Sequence, residues 1–338
     1  MKLNIKIFLL FMFLIGLIHL SFFIGKYPIS LNEYVQFLKY YFLNETTLTE
    51  DKIEVLNNIF FNVRFPRIIT AVLIGASLGV AGSTFQAIFV NPLVSPGILG
   101  VLAGSSFGAA LGLVLSLPWF GVQILTFVFG FCAVLLSITF LFISKRPKST
   151  IILILGGIIS SALFTSFLAI LKYSSDPYDV LPTIVFWLMG TLSYSDKNTL
   201  ALVFVPMVFG IVILSFSSKY LNALSLGDEE AKSLGVNVKY IKIYSIFFAT
   251  LISSLTVVLA GVIGWIGLII PHITRLLFGA DNKIVVPLSA IIGGIFLLSS
   301  DMLSRSLFEY EIPIGILTSI VGIFMFIFVF IKAKQTIC

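Results

Sequence analysis

The segment from Gly261 to Arg275 holds the side chains of this sequence that could do chemistry at membrane depth. Its sequence, GVIGWIGLIIPHITR, is apolar enough for a bilayer but contains three glycines, Pro271, His272 and Arg275. Pro271 has no backbone N–H and clashes with the preceding turn, so we predict helix breaks at Pro271 and His272. Backbone groups freed inside a membrane are tolerated only where protein buries them or water reaches them. The segment therefore indicates a working part of a transport protein rather than an anchor.

An enzymatic alternative would place His272, one of two histidines, at the centre of a membrane-embedded active site. The sequence offers that histidine no partner, because it has no HExxH, no GxSxG, no His/Cys cluster and no paired carboxylates within a span. It also lacks the GxxxxGKS/T motif, so it does not bind ATP through a P-loop. We expect no enzymatic activity, no metal site and no cofactor on this chain.

The composition predicts an all-α polytopic membrane protein that forms one domain over residues 1–338. Hydrophobic residues make up 59% of the 338 and charged residues 11%, whereas a soluble domain carries about 25% charge. Apolar runs of about 20 residues recur along the chain, each long enough to cross about 30 Å of hydrocarbon. We place about ten transmembrane helices at 5–25, 66–88, 97–117, 120–143, 151–171, 199–217, 241–262, 264–278, 284–304 and 313–332.

The distribution of basic residues predicts that both termini lie in the cytoplasm. With ten spans the termini share one side, and 13 of the 21 Lys and Arg residues would fall on it. The short loops on the other side hold only Lys172, Lys197 and Arg305. Short loops carry an excess of Lys and Arg on the cytoplasmic side. Residues 26–62 then form an external loop with room for one or two short helices, and residues 220–240 form a cytoplasmic one.

Two segments share a pattern that predicts an inverted repeat. An Ala-Gly pair ending at Gly82 is followed ten residues later by Pro92, and another ending at Gly261 is followed ten residues later by Pro271. The two pairs lie near the ends of the second and seventh spans, which run in opposite directions. Interrupted helices in inverted repeats often line a substrate path. Three matching positions also arise by coincidence, and the sequence leaves that alternative open.

Three arginines lie at the external membrane surface. Arg64 and Arg67 flank Pro66 just before the second span, and Arg305 follows Asp301 by one helical turn. One interpretation is interfacial anchoring by long side chains, together with an i,i+4 pair between Asp301 and Arg305. The other is capture of carboxylates on a docking protein, because guanidinium groups bind carboxylates with two parallel hydrogen bonds.

The cytoplasmic loop between spans six and seven contains LGDEEAKSLGVNV, which predicts a short helix. Ser225 and Asp228 have the spacing of a capping box, and Gly235 is suited to end a helix. The segment is either a solvated connector or a helix that a partner protein binds. For the second case the candidate contact residues are Leu226, Gly227, Asp228, Glu229, Ala231, Leu234 and Gly235.

The segment from Asn91 to Gly100 cannot form a continuous helix, since it contains two prolines and two glycines. It is either a tight turn between spans or a constriction at the cytoplasmic end of a path, with Asn91 and Leu93 as gate residues and Pro92 as a helix break. Small residues in the neighbouring spans predict close helix packing. They are Gly75, Ser77, Gly79, Gly82, Gly104 and Gly108.

Four blocks of the sequence together resemble one known family. They are RFPRIITAVLIGASLGVAGSTFQAIFVNPLVSPGILGVLAGSSFG, LSLGDEEAKSLGVNV, LAGVIGWIGLIIPHITRLLFG and DMLSRSLFEYEIPIGILTSIVG. In this order and spacing they resemble the FecCD-type permeases, the membrane subunits of ABC importers for iron–siderophore chelates, haem and vitamin B12. The resemblance covers nearly the whole chain. Trp265 stands where the family often has Phe, and Ser95 where it often has an acidic or small residue.

The resemblance implies a type II ABC importer permease fold in the cytoplasmic (inner) membrane of a bacterium. It implies a second permease copy or paralogue, two ATP-binding subunits that hold ATP and Mg, and a periplasmic or lipid-anchored substrate-binding protein, with no nucleic acid. By position, Arg64, Arg67 and Arg305 match arginines that meet the binding protein, and 226–235 matches the helix that docks on the ATPase.

The resemblance also assigns Asn91 and Leu93 to the cytoplasmic gate, and Ser149 and Thr150 to a second gate by their place between spans four and five. The expected cargo is an iron chelate of the siderophore type, with haem or vitamin B12 as alternatives. An ATP-independent secondary transporter or channel is the rival function. It is disfavoured because ion-coupled transporters usually need carboxylates deep within their spans, and the acidic residues of this sequence fall at span ends or in loops.

Overall fold

The computed structural model describes the backbone of residues 3–45, 47–143 and 150–337. These parts of the chain contain only helices and their connections. The α-helices are α1 (Leu3–Ser21), α2 (Leu31–Leu43), α3 (Glu50–Asn57), α4 (Phe65–Phe89), α5 (Val101–Val114), α6 (Trp119–Ile143), α7 (Thr150–Ser174), α8 (Val180–Leu188), α9 (Lys197–Phe216), α10 (Ser218–Leu224), α11 (Asp228–Ser233), α12 (Val238–Ala260), α13 (Ile266–Phe278), α14 (Asn282–Ser306) and α15 (Ile314–Ile337). A π-helical turn at Asn58–Arg64 joins α3 to α4, and a 3₁₀ turn at Pro96–Leu99 precedes α5.

Ten of these helices confirm the predicted spans in order. Seven are long and apolar enough to cross a membrane by length and composition, and they lie in α1, α4, α6, α7, α9, α12 and α14. Three shorter apolar helices, α5, α13 and α15 up to Phe328, account for the rest. The loop predicted to be external holds α2 and α3, and the loop predicted to be cytoplasmic holds α10 and α11, so short helices occur where the sequence predicted them.

The order of helix lengths repeats within the described chain. Helices α4 to α7 have 25, 14, 25 and 25 residues, and α12 to α15 have 23, 13, 25 and 24. In both sets the short second helix packs against the third and the fourth. The two sets begin five spans apart, so they run in opposite directions. This order supports the expected inverted repeat.

The residue pattern that prompted this expectation is wrong, because its matching residues do not occupy equivalent positions in the two sets of helices. Gly82 lies inside α4 with Pro92 beyond the end of that helix, whereas Gly261 ends α12 and Pro271 lies inside α13. The breaks that correspond are instead the connections 90–100 and 261–265. The three-position match was therefore a coincidence.

The predicted helix breaks at Pro271 and His272 are also wrong, because α13 continues through both residues. A residue at position 271 would normally donate its N–H to the carbonyl of Gly267, and proline cannot do so. The side-chain amide of Gln86 on α4 fills this gap, since Nε2 lies 3.5 Å from the Gly267 oxygen and 3.2 Å from that of Leu268. The chain breaks earlier, at 261–265, where Trp265 has a φ of 68°.

Helix α4 lies at the centre of the fold and touches its neighbours backbone to backbone. A Cβ atom on Gly75 would overlap the carbonyl oxygen of Gly293 on α14, and one on Gly82 would overlap that of Gly267 on α13. Gly104 and Gly108 bring α5 equally close to α6. Close packing at the predicted small residues is therefore confirmed at these positions. It places α13 and α14 against α4 in a fixed register.

Candidate functional site

Helix α11, in the loop that the sequence predicts to be cytoplasmic, begins and ends at glycines and has no capping box. Gly227 precedes it with a φ of 115°, and no side chain caps its first turn. At its end Gly235 has a φ of 78° and donates its N–H to the carbonyl of Lys232, while Val236 donates to Ala231. These two bonds form a Schellman motif. The predicted stop at Gly235 is confirmed, and the predicted capping box from Ser225 to Asp228 is wrong.

Helix α11 is flanked by an exposed apolar surface. Leu226 before it and Leu234 after it are each 64% exposed, whereas Ala231 is fully buried beneath them. The Asp228 carboxylate, which the sequence assigned to the cap, pairs instead with Lys242 on α12 at 2.7 Å. Ala231 and Asp228 therefore attach α11 to the membrane domain, and the two leucines remain available to a partner. Glu229 is exposed on the same helix.

A set of amide and carboxylate contacts joins the segment before α11 to the start of α14. Asn222 on α10 donates to Asp281 at 2.7 Å and accepts the backbone N–H of Asn282 at 2.7 Å. The Asn282 amide in turn donates to Ser225 at 3.1 Å. The hydrogen bond from Asn222 lowers the pKa of the Asp281 carboxyl, so this contact is strongest with Asp281 ionised. A cleft of about 650 Å³ lies beside these residues, between Leu226, Leu234 and Lys283.

The predicted gate segment leaves α4 through a tight turn. Val90 has a φ of 47°, and the Asn91 side chain accepts the backbone N–H of Leu93 at 2.9 Å. Leu93 is 57% exposed, and Pro92 lies outside any helix as the sequence predicted. The gate role of Asn91 and Leu93 stays a prediction. Ser149 lies outside the described residues, and of Thr150 only its place at the start of α7 is known.

The three arginines assigned to external docking do not face solvent. Arg67 is 7% exposed and Arg305 6%, and both pair with the fully buried Asp301, each at 2.9 Å. Arg64 is 4% exposed and donates to the backbone carbonyls of Phe22 and Tyr27. The expectation of a free basic surface is therefore corrected, because these guanidinium groups bind internal partners. A role in docking stays a prediction. It requires each arginine to leave its internal partner and bind a group on the docking protein instead.

The same ion cluster extends into the connections before α9 and α15. Arg67 also pairs with Glu311 before α15 at 2.9 Å, and Ser193 before α9 donates to Glu311 at 2.6 Å. Burial opposes ionisation of Glu311, but the Ser193 hydrogen bond and the Arg67 charge outweigh it, and the pKa of Glu311 is lowered. Arg305 donates to the carbonyl of Ile24, beyond α1. The cluster thus fixes the end of α1, the start of α4 and the end of α14 together.

A polar cluster that the sequence did not reveal lies between α4 and α13. Arg275 donates to the side-chain oxygen of Gln86 and to His272 Nδ1, the latter at 3.2 Å. His272 is half-buried, and its ring lies 6.0 Å from that of Phe326 on α15. Gln86 belongs to no sequence motif. Its contacts with α13 near Pro271 and with Arg275 are formed only in the folded structure. The described residues contain no group of three His, Cys, Asp or Glu that could hold a metal ion.

The comparison with protein families shows to which family a chain with this architecture belongs. The model of the FecCD transport family matches residues 11–332, nearly the full length of the chain. The chain belongs to the FecCD transport family. This FecCD protein is therefore a multi-pass permease subunit of an ABC importer and not itself an enzyme, because the ATPase is a separate subunit.

Individual relatives of this FecCD permease cover most of its length. It is 39% identical over 313 residues to the molybdate import permease MolB of Haemophilus influenzae, covering 92% of this chain and 91% of that protein. It is 33% identical to a Helicobacter pylori permease named for iron chelatin transport, covering 85% and 86%. A solved structure of a metal-chelate type ABC transporter in an inward-facing conformation matches with a TM-score of 0.86 and 36% identity, covering 97% and 99%.

Proposed function

We propose that this permease carries a metal-containing anion, with molybdate as the first candidate. The similarity to MolB carries this proposal, because it extends over 92% of the chain at 39% identity. Such a cargo needs a path between helices and no chemical step. That requirement agrees with a chain whose acids and bases lie mainly at helix ends and in loops.

An iron chelate of the siderophore type is the second candidate. The resemblance of the four sequence blocks favours it, and so does the Helicobacter pylori relative named for iron chelatin transport. Haem and vitamin B12 are further cargoes that the same resemblance implies. A binding protein outside the membrane would select among these cargoes before the permease meets them.

We further propose that two permease copies, identical or paralogous, assemble with two ATPase subunits and one binding protein. The exposed Leu226 and Leu234 beside α11 supply the surface for the ATPase. Asn222, Asp281 and Asn282 then connect that surface to α14. In this proposal both termini lie in the cytoplasm of a bacterial cell, as the distribution of Lys and Arg predicts.

Uptake measurements in cells with and without the gene test the cargo. Radiolabelled molybdate, two ferric chelates of different charge, haem and cobalamin would each be supplied at low concentration. Loss of molybdate uptake alone supports the first candidate, and loss of one ferric chelate alone supports the second. Unchanged uptake of every compound, in a strain without related permease genes, would contradict both. Restoration by the intact gene on a plasmid is the control.

A further inference from the structure

Arg275 places a positive charge inside the membrane domain. It lies in the last turn of α13, and side chains on a helix tilt toward the N-terminus. Its guanidinium group accordingly reaches back to His272, one turn earlier, and across to Gln86 on α4. Arg275 therefore does not extend toward the cytoplasmic end of its helix.

The described residues provide no negative partner for this charge. They include all fifteen Asp and Glu residues of the chain, and the carboxylates that form ion pairs contact other bases. Gln86 and His272, which do contact Arg275, are neutral acceptors. Ionisable groups within membrane segments usually pair with one another or mark a functional path. The external arginines, in contrast, share Asp301 and Glu311.

The cluster retains hydrogen-bond donors that have no protein partner. Only Nη2 of Arg275 donates within the described chain, which leaves Nε and Nη1. Neither Nε nor Nη1 is a fully buried atom without a hydrogen-bond partner, so both atoms are accessible at the protein surface. A guanidinium group cannot accept, so His272 Nδ1 is the acceptor and the ring proton of the neutral tautomer lies on Nε2. The cluster therefore offers several N–H groups and a positive charge.

The position of the cluster relates it to the predicted gate. The backbone carbonyl of Gln86 accepts the N–H of Asn91, where the chain turns away from α4. Pro96, in the same connection, contacts α13 at Gly267. On the other side His272 lies beside Phe326 of α15. The cluster thus lies between the gate connection and α15.

We propose that Gln86, His272 and Arg275 form an oxyanion-binding site that the cargo occupies before it leaves toward the cytoplasm. The inference rests on the proposed function, because it requires an anionic cargo. A guanidinium group binds the oxygens of an oxyanion through parallel N–H donors, and His272 Nε2 adds a further donor. We expect the affinity of this site for the cargo to be low, since a cargo that bound tightly there would not be released.

Two variants separate this proposal from a purely structural role of the cluster. Gln86→Glu places a carboxylate against Arg275, which neutralises the site, but it also removes the amide that donates to Gly267 and Leu268. In a variant that assembles, a purely structural role of the cluster predicts normal transport, whereas an oxyanion site predicts its loss. Arg275→Lys keeps the charge but not the parallel donors, so an intermediate rate is expected. Lys239→Gln, which removes one exposed cytoplasmic charge on α12, is the matched control.

The experiment uses the assembled permease and ATPase complex in liposomes with ATP inside and the molybdate-loaded binding protein outside. In Gln86→Glu we expect molybdate uptake to fall about tenfold, the scale of one lost charge-assisted hydrogen bond. Stimulation of the ATPase by the loaded binding protein should persist. Wild-type uptake by Gln86→Glu would overturn the proposal. If this variant fails to assemble because the Gln86 amide is lost, Arg275→Lys decides instead, and wild-type uptake by Arg275→Lys would overturn the proposal.

The same comparison distinguishes a wrong site from a wrong cargo. If the wild-type complex carries ferric citrate and not molybdate, the molybdate proposal fails, and the variants are then compared with that anionic chelate. A tenfold loss in Gln86→Glu would still support the site. A wild-type complex that carries only uncharged chelates would overturn both proposals.

Discussion

Arg67 and Asp301, 234 residues apart in the sequence, form a 2.9 Å ion pair in the interior of the membrane domain. Asp301 is fully buried and also pairs with Arg305, so one carboxylate holds two guanidinium groups. Glu311 supplies a second negative charge to Arg67. The C-terminal end of α14 is therefore fixed to α4 by charge, while its centre is fixed to α4 by glycine contacts.

Asp301→Asn is expected to destabilise the permease strongly. Removing one partner of a buried ion pair costs about 3–5 kcal/mol, because the remaining charge stays buried without compensation. Here Arg67 keeps Glu311, but Arg305 loses its only carboxylate among the described residues. Thermal unfolding of the purified complex measures the loss. Glu309→Gln, an exposed external substitution, should leave the midpoint unchanged, and equal midpoints for both variants would contradict the prediction.

Charge reversal at Arg67 should reduce the amount of assembled permease rather than weaken docking alone. A carboxylate at position 67 would face Asp301 and Glu311 in the buried cluster, and like charges repel. Lys26→Glu provides the comparison, since Lys26 is exposed on the same side. That variant should assemble normally, and any effect on binding-protein affinity should diminish with added salt. Normal assembly of Arg67→Glu with salt-dependent loss of docking would restore the direct docking role.

Gly75→Ala should prevent correct packing of α4 against α14. The new methyl group would overlap the carbonyl oxygen of Gly293, and neither backbone can move without displacing a whole helix. Overpacking in a well-packed core costs about 1–3 kcal/mol or more. The matched control is Gly16→Ala on α1, where an added Cβ meets nothing within 4 Å. Folded yield by size-exclusion chromatography compares them, and similar yields would exclude the backbone contact as a constraint.

Leu234→Asp should detach or uncouple the ATPase without unfolding the permease. Leu234 is 64% exposed, so a charge there costs little in the isolated subunit but disrupts an apolar interface. Co-purification of the ATPase and its stimulation by the loaded binding protein report the two effects. Lys239→Gln serves as the control. Full stimulation in Leu234→Asp would show that α11 is a solvated connector, the alternative left open by the sequence.

The start of α2, in the loop predicted to be external, should loosen in acid. Glu33 bonds Lys52 and caps Ser30, and these contacts lower the pKa of Glu33 to about 2. Because the folded pKa lies below the unfolded value of about 4.3, the contribution is present above pH 4.3. It is lost as the pH falls toward 2. Cleavage of residues 26–62 by an acid protease should rise over that range, and Glu33→Gln should be cleaved more at pH 5. A pH-independent cleavage rate would contradict this.

Local signals in the sequence were sufficient to predict the helices. Apolar runs predicted the ten spans because a membrane segment must satisfy its own backbone and cover itself with apolar side chains. Gly235 predicted the end of α11 because a left-handed residue there has few substitutes. The capping box failed because Lys242, fourteen residues away, binds Asp228 instead.

The sequence by itself determined the membrane class, the number and order of spans, and the short helix α11, since each follows from interactions within one or two turns. Only the tertiary structure decided that Arg67 and Arg305 point inward, that α13 continues through Pro271, and that Gln86 meets Arg275. Their partners lie far away in the chain. A pattern along one helix shows which side chains need a partner, but the packing of helices determines which partner they find.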